Sequence, residues 1–119
     1  MAILHANSGD PIDVRPLGAA LSSAQSIAIF KSQELEVLRI VLLAGRSMKE
    51  HRVAGEMTLQ CLEGKLEVGV AGVARRLETG QLLFLAPQIP HSVTALEDAS
   101  ALLTIVVRKP DPTAAGPRP

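Results

Sequence analysis

The stretch "MTLQCLEGKLEVGV", residues 57–70, decides the fold class. Met57, Leu59 and Cys61 alternate with Thr58 and Gln60. Past Glu63-Gly64, Leu66, Val68 and Val70 alternate with Lys65, Glu67 and Gly69. A period of two marks a half-buried strand, because successive side chains leave opposite faces of a sheet. The stretch therefore predicts two strands meeting at Glu63-Gly64.

The flanking sequence repeats the pattern. "ELEVLRIVLLAG" (34–45) is rich in Val, Ile and Leu and ends on glycine; "AGVARRLETG" (71–80) reads as a short strand between an Ala71-Gly72 turn and a Thr79-Gly80 turn. "QLLFLAP" (81–87) is a strand stopped by Pro87, which has no N–H for a ladder. "HSVTALEDAS" (91–100) alternates as far as the Glu97-Asp98 turn, and "ALLTIVVRK" (101–109) is a last strand rich in β-branched residues. About nine or ten strand candidates follow one another at the spacing of a sandwich or barrel. Nothing resembles a βαβ unit. In "LGAALSSAQS" (17–26) a helical turn and a loop fit equally well, and the tail 110–119, "PDPTAAGPRP", is expected to be disordered. The fold class is all-β, a single domain.

Composition narrows the function. A chain of 119 residues, 47% hydrophobic, suits one domain with one core. Twelve basic and twelve acidic residues cancel, which argues against nucleic acid or an anionic membrane as partner, since both need clustered positive charge. Arg39, Arg75 and Arg76 read as surface residues, with anion binding by one of them as the alternative. Phe30 and Phe84 are the only aromatics, too few for a stacking platform. The single Cys61 excludes an intramolecular disulfide and reads as a buried thiol rather than a nucleophile. Apolar runs of about seven residues fall far short of a membrane span, and no signal peptide is visible. A soluble, cytoplasmic protein is expected.

Gly45, five residues, then His51 opens a stretch that closes at Gly64; later Gly80 leads to "LLFLAPQIPH" with His91 at its end. This resembles the two-motif signature of the cupin superfamily, and in length the small single-domain RmlC-like cupins. The resemblance implies a double-stranded β-helix, or jelly-roll, barrel. The domain would span 1–109, with an N-terminal strand or arm over about 1–34 and the barrel over about 35–107. "DPIDVRPLG" (10–18) would add a strand to the barrel or across a dimer.

The family's metal ligands are incomplete here. Val53 stands where a second histidine would be, Met57 where a glutamate would be, and Ala95 where a trailing asparagine is common. Only His51 and His91 remain of the four. Val has no donor, and a thioether suits Fe(II), Mn(II) or Zn(II) poorly. Glu56 could replace the lost carboxylate only if a bulge at Ala54-Gly55 turned it inward. His5 could add an imidazole only if the N-terminus folded over the mouth. By strand parity, His51, Val53, Met57, Leu59, His91 and Val93 are expected to line the interior, either as an apolar ligand pocket or as a closed core.

The leading expectation is thus a small cupin that binds a small, largely apolar ligand in the barrel without a complete metal site. The alternative is a metal-dependent dioxygenase or isomerase that uses His51 and His91, a divalent transition metal and a non-standard third ligand. Metal-free acid–base catalysis by a histidine would need an orienting carboxylate that the sequence does not supply. By resemblance, and because a small barrel leaves apolar outer faces and strand edges to cover, a homodimer is expected.

Overall fold

The structure is a computed structural model that describes residues 6–107. His5 and the tail from Pro110 lie outside the described residues. Among the described residues nine strands follow one 3₁₀ helix, Gly18–Ser23. They are β1 Ile27–Lys31, β2 Leu35–Leu42, β3 Ser47–His51, β4 Met57–Glu63, β5 Lys65–Val70, β6 Val73–Glu78, β7 Leu82–Leu85, β8 His91–Ala95 and β9 Ala99–Val106.

They form a five-stranded sheet, β1-β2-β9-β4-β7, and a four-stranded sheet, β3-β8-β5-β6, both antiparallel in the pairings between neighbours. From β2 onward the chain changes sheet at each connection except β5–β6, the hairpin that turns at Ala71-Gly72 with φ of 50° and 83°. That alternation is the jelly-roll path. Glu63-Gly64 is therefore a corner between sheets. Gly64 sits there at φ 82°, and its neighbour across the corner is the Asp98–Ala99 crossing from β8 to β9.

The core lies between the sheets and follows the period of two. Met57, Leu59 and Cys61 face inward opposite Ile105, Leu103 and Ala101 on β9, and Leu38, Ile40 and Leu42 join them from β2. Leu66 and Val68 come from the other sheet, paired with Ala95 and Val93. Leu59 and Val68 are 0% exposed.

The outward faces differ in chemistry. That of the four-stranded sheet is polar: Ser47 and Thr94 share a 2.8 Å hydrogen bond, and Glu67 stands between Thr94 and Arg76. That of the five-stranded sheet is apolar, with Gln60 and Thr58 opposite Leu82 and Phe84, which are 61% and 59% exposed.

The N-terminal segment covers part of this apolar face. Ala6 N–H donates to Ile29 O at 3.1 Å on edge strand β1, and Leu17 and Gly18 N–H donate to the Glu63 carboxylate at 2.9 and 3.0 Å. Residues 10–18 add no strand to this barrel, one of the two placements the sequence suggested. Pro11 and Pro16 cannot donate to a ladder, and Asp13 and Arg15 bond each other instead. The strand of this arm is β1, residues 27–31. Arg39, expected on the surface, is 6% exposed because the segment folds over it.

Glu63 is the hub of that docking. It also accepts the Ser100 hydroxyl. Burial alone would raise its carboxyl, but the Leu17 N–H, the Ser100 hydroxyl, the Gly18 N–H and the Arg39 charge outweigh burial and hold it below its ordinary value of 4.5. A depressed folded-state value stabilises the fold above 4.5 and loses that contribution as pH falls through the lower folded value. Glu63→Gln is expected to destabilise the protein by about 1–2 kcal/mol at neutral pH. Urea titrations should show the gap from the wild type closing in acid; a gap constant down to pH 3 would contradict this.

Candidate functional site

His51 and His91 end up together because β3 and β8 are neighbours and pair them in register. Their ring centroids are 4.4 Å apart with planes tilted by 55°. His51 closes edge strand β3 and is exposed, whereas His91 opens β8 and is 2% exposed. The pair sits where β3 ends and β8 begins, at one end of the barrel, its mouth, with His91 buried and His51 exposed.

Each ring is fixed the same way. His51 Nδ1 lies 3.0 Å from Lys49 O, and His91 Nδ1 lies 3.0 Å from Ile89 O. A carbonyl oxygen only accepts, so Nδ1 carries the hydrogen in both rings. With that tautomer, a neutral ring presents Nε2 as an acceptor. The mouth thus holds two oriented lone pairs on adjacent rings.

The surrounding turns explain this placement. Pro87 to Pro90 is a tight turn with Gln88 at φ 64°, and Gln88 N–H donates to Val53 O at 2.8 Å. That bond ties the turn before His91 to the loop after His51. Gly55 is buried against β9; a Cβ there would collide with the Val106 carbonyl oxygen, and Val106 N–H donates to Glu56 O at 2.8 Å. Gln88 was not among the residues singled out from the sequence; its position between Pro87 and Pro90 was the available signal.

The other site residues fall at different depths. Val53 lies in the loop beyond β3, not on the strand, yet is half-buried and packs on the core. Met57 is 3%, Leu59 0% and Val93 3% exposed, so at this depth the side chains close on one another. Glu56 points away from the imidazoles: it is exposed and borders a hollow on the outer face with Thr58, Phe84 and Thr104. The loop at Ala54-Gly55 leaves it outside. Cys61 donates to Glu63 O and Gly64 O at 3.4 and 3.5 Å, and burial pushes its thiol up, which makes it an inert group.

A family model described as a cupin domain matches residues 38–107, the span from β2 to the end of β9. The protein belongs to the cupin family. Among solved structures this cupin is similar to a protein of unknown function from Streptococcus pyogenes, with TM-score 0.70, 21% identity, and 92% of this chain and 100% of that chain covered. A cupin superfamily protein from Desulfitobacterium hafniense matches with TM-score 0.70, 16% identity, and 82% and 94% covered. Salicylate 1,2-dioxygenase from Pseudoaminobacter salicylatoxidans, in adducts with gentisate, matches with TM-score 0.64 and 20% identity, over 67% of this chain and 24% of that one. None of the curated proteins compared with the chain matches it. At these identities the likeness is one of fold.

The residues of this cupin can be tested against the metal that complete cupin sites hold. A catalytic centre typically takes three protein ligands. Here the mouth supplies two imidazoles beside Val53 and Met57, and no group of three or more His, Cys, Asp or Glu that could hold a metal occurs among the described residues. Among the described residues the donor set falls short of such a centre. Among the described residues no helix is long and apolar enough to cross a membrane.

Proposed function

We propose that this cupin binds a small, largely apolar ligand at the barrel mouth, over the His51–His91 pair and against Val53. The observation that carries the reading is the pair itself: two imidazoles with Nδ1 engaged and Nε2 left as acceptor, bordered by apolar side chains where carboxylate and histidine ligands would complete a metal set. Apolar walls with a few placed polar groups are the usual make-up of a small-molecule site. The ligand chemistry that fits is an apolar body carrying a hydroxyl or N–H donor, to which Nε2 can accept.

A panel of phenols, aliphatic alcohols and aromatic acids tests this by thermal shift. At least one member should raise Tm by several degrees, and His51→Ala, an exposed position, should abolish the shift while leaving the unliganded Tm within about 2 °C. No shift across the panel overturns the reading.

The pinned Nδ1 atoms also favour a second reading, a metal-dependent enzyme of dioxygenase or isomerase type that uses His51 and His91 with a non-standard third ligand, because outer-shell carbonyls commonly orient metal-bound imidazoles. Metal analysis of protein prepared without chelators decides between the two. About one divalent metal per chain would replace the first reading with the second; a small fraction of one would end the second.

We also infer that the chain acts as a homodimer through the uncovered part of the five-stranded sheet, where Leu82 and Phe84 project beside Thr58 and Thr104. A two-fold contact needs one self-complementary patch, of about 800 Å² per partner in a stable complex. Sedimentation should give a dimer at micromolar concentration and a monomer for Phe84→Glu; a monomeric wild type would refute it.

A further inference from the structure

The barrel mouth leaves one ionisable group unexplained. Arg39 on β2 is 6% exposed, yet it sits on the outer face of the five-stranded sheet under the N-terminal segment. A guanidinium brings five N–H donors and stays charged, so its burial calls for acceptors. Its Nη2 donates to Arg15 O at 2.8 Å. No ion pair to Arg39 forms among the described residues. The carboxylates nearest in charge are already engaged: Asp13 by the Arg15 N–H at 2.9 Å and guanidinium at 2.8 Å, and Glu63 by Leu17, Gly18 and Ser100.

Beside Arg39 lies a cavity of about 650 Å³ between the N-terminal segment and strands β1 and β2. Its walls include Ile12, Leu17, Ile27 and Ile29, with Asp10 and Gln25 among the polar residues. Asp10 accepts the Asn7 N–H at 3.2 Å. A second hollow of about 400 Å³, bordered by Arg15 and Pro16, shares Asp13, Leu17 and Arg39 with the first. Arg39 lines both hollows, and no fully occluded side-chain nitrogen is left without a partner among the described residues. A planar, charged donor fork lining a mostly apolar cavity is complementary to a carboxylate with a hydrocarbon body.

We propose that this outer cavity is a second binding site that takes a small monocarboxylic acid, with the carboxylate on Arg39 and the apolar body against Ile27 and Ile29. The site is separate from the imidazole pair and does not depend on it. It also lies away from the Leu82–Phe84 patch, since β1 and β7 are opposite edges of the sheet.

The isoleucines make the test direct. Ile12, Ile27 and Ile29 report the outer cavity, whereas Ile40 and Ile89 pack in or against the core. Methyl and Arg side-chain NMR of the full chain, titrated with octanoate and with uncharged octanamide, should show saturable shifts at Ile12, Ile27, Ile29 and the Arg39 Nε–H. Octanoate should bind about tenfold tighter than the amide, and Arg39→Gln should remove that advantage. If Arg39→Gln fails to fold, Gln25→Glu serves instead: it places a carboxylate on the cavity lining at an exposed position, keeps the apolar walls, and should weaken octanoate while sparing octanamide. Equal affinity for acid and amide, shifts confined to Ile40 and Ile89, indifference of octanoate to both variants, or no saturation at millimolar probe each overturns the proposal.

Discussion

Gly64→Ala is expected to lower stability by about 2–5 kcal/mol. Two independent terms add. The residue sits at φ 82°, in the left-handed region, where a side chain costs about 1–2 kcal/mol. A Cβ there would also collide with the Asp98 carbonyl oxygen and come within 2.8 Å of Ala99 Cα. Those are backbone atoms of the neighbouring crossing between sheets, and forcing them apart adds about 1–3 kcal/mol. Gly45→Ala isolates the first term, since Gly45 has φ 85° but nothing within 4 Å of a Cβ. Urea denaturation followed by circular dichroism should therefore place Gly64→Ala well below Gly45→Ala. Equal losses would mean that the two crossings are not pressed together at this corner.

Leu59→Ala should remove about 3 kcal/mol, within the range for deleting a buried leucine. Leu59 is 0% exposed and faces inward from β4, between Leu83 on β7 and Leu103 on β9. With neighbours closed around it, the truncation leaves a dry apolar void, and such voids take up small hydrocarbons. Benzene should then raise the Tm of Leu59→Ala and leave the wild type unchanged. A loss under about 1 kcal/mol would mean that the barrel is already open at this depth. The outcome bears on function, because a closed interior keeps a ligand of the imidazole pair at the mouth, beside His51 and Val53.

Much of the barrel was legible because strand signals are local. The alternation in 57–70 is enough to separate inner from outer residues, and it placed Met57, Leu59, Leu66 and Val68 in the core. The glycine- and proline-bounded motifs brought His51 and His91 to one place, since their spacing follows the turns that deliver them. Parity failed where the strand stopped. Beyond His51 the chain is a loop, so alternation carried no information about Val53 or Glu56. Only the Gly55 contact with β9 and the Gln88–Val53 bond settle where those two side chains go.

By itself the sequence determined an all-β cupin chain, the order and identity of most of its strands, and a metal motif reduced to two histidines. Tertiary structure alone decided which polar groups are buried and which apolar ones are not. Arg39 reads as a surface arginine until residues 10–18 fold across it, and Glu63 reads as a turn residue until Leu17, Gly18 and Ser100 converge on it. Phe84 reads as one more strand hydrophobe until the sheet turns it outward. The physical reason is common to all three. Periodicity states that a strand has two faces, but what covers each face is set by partners 24 to 46 residues away in the chain, as in the Arg39–Arg15 and Glu63–Leu17 bonds.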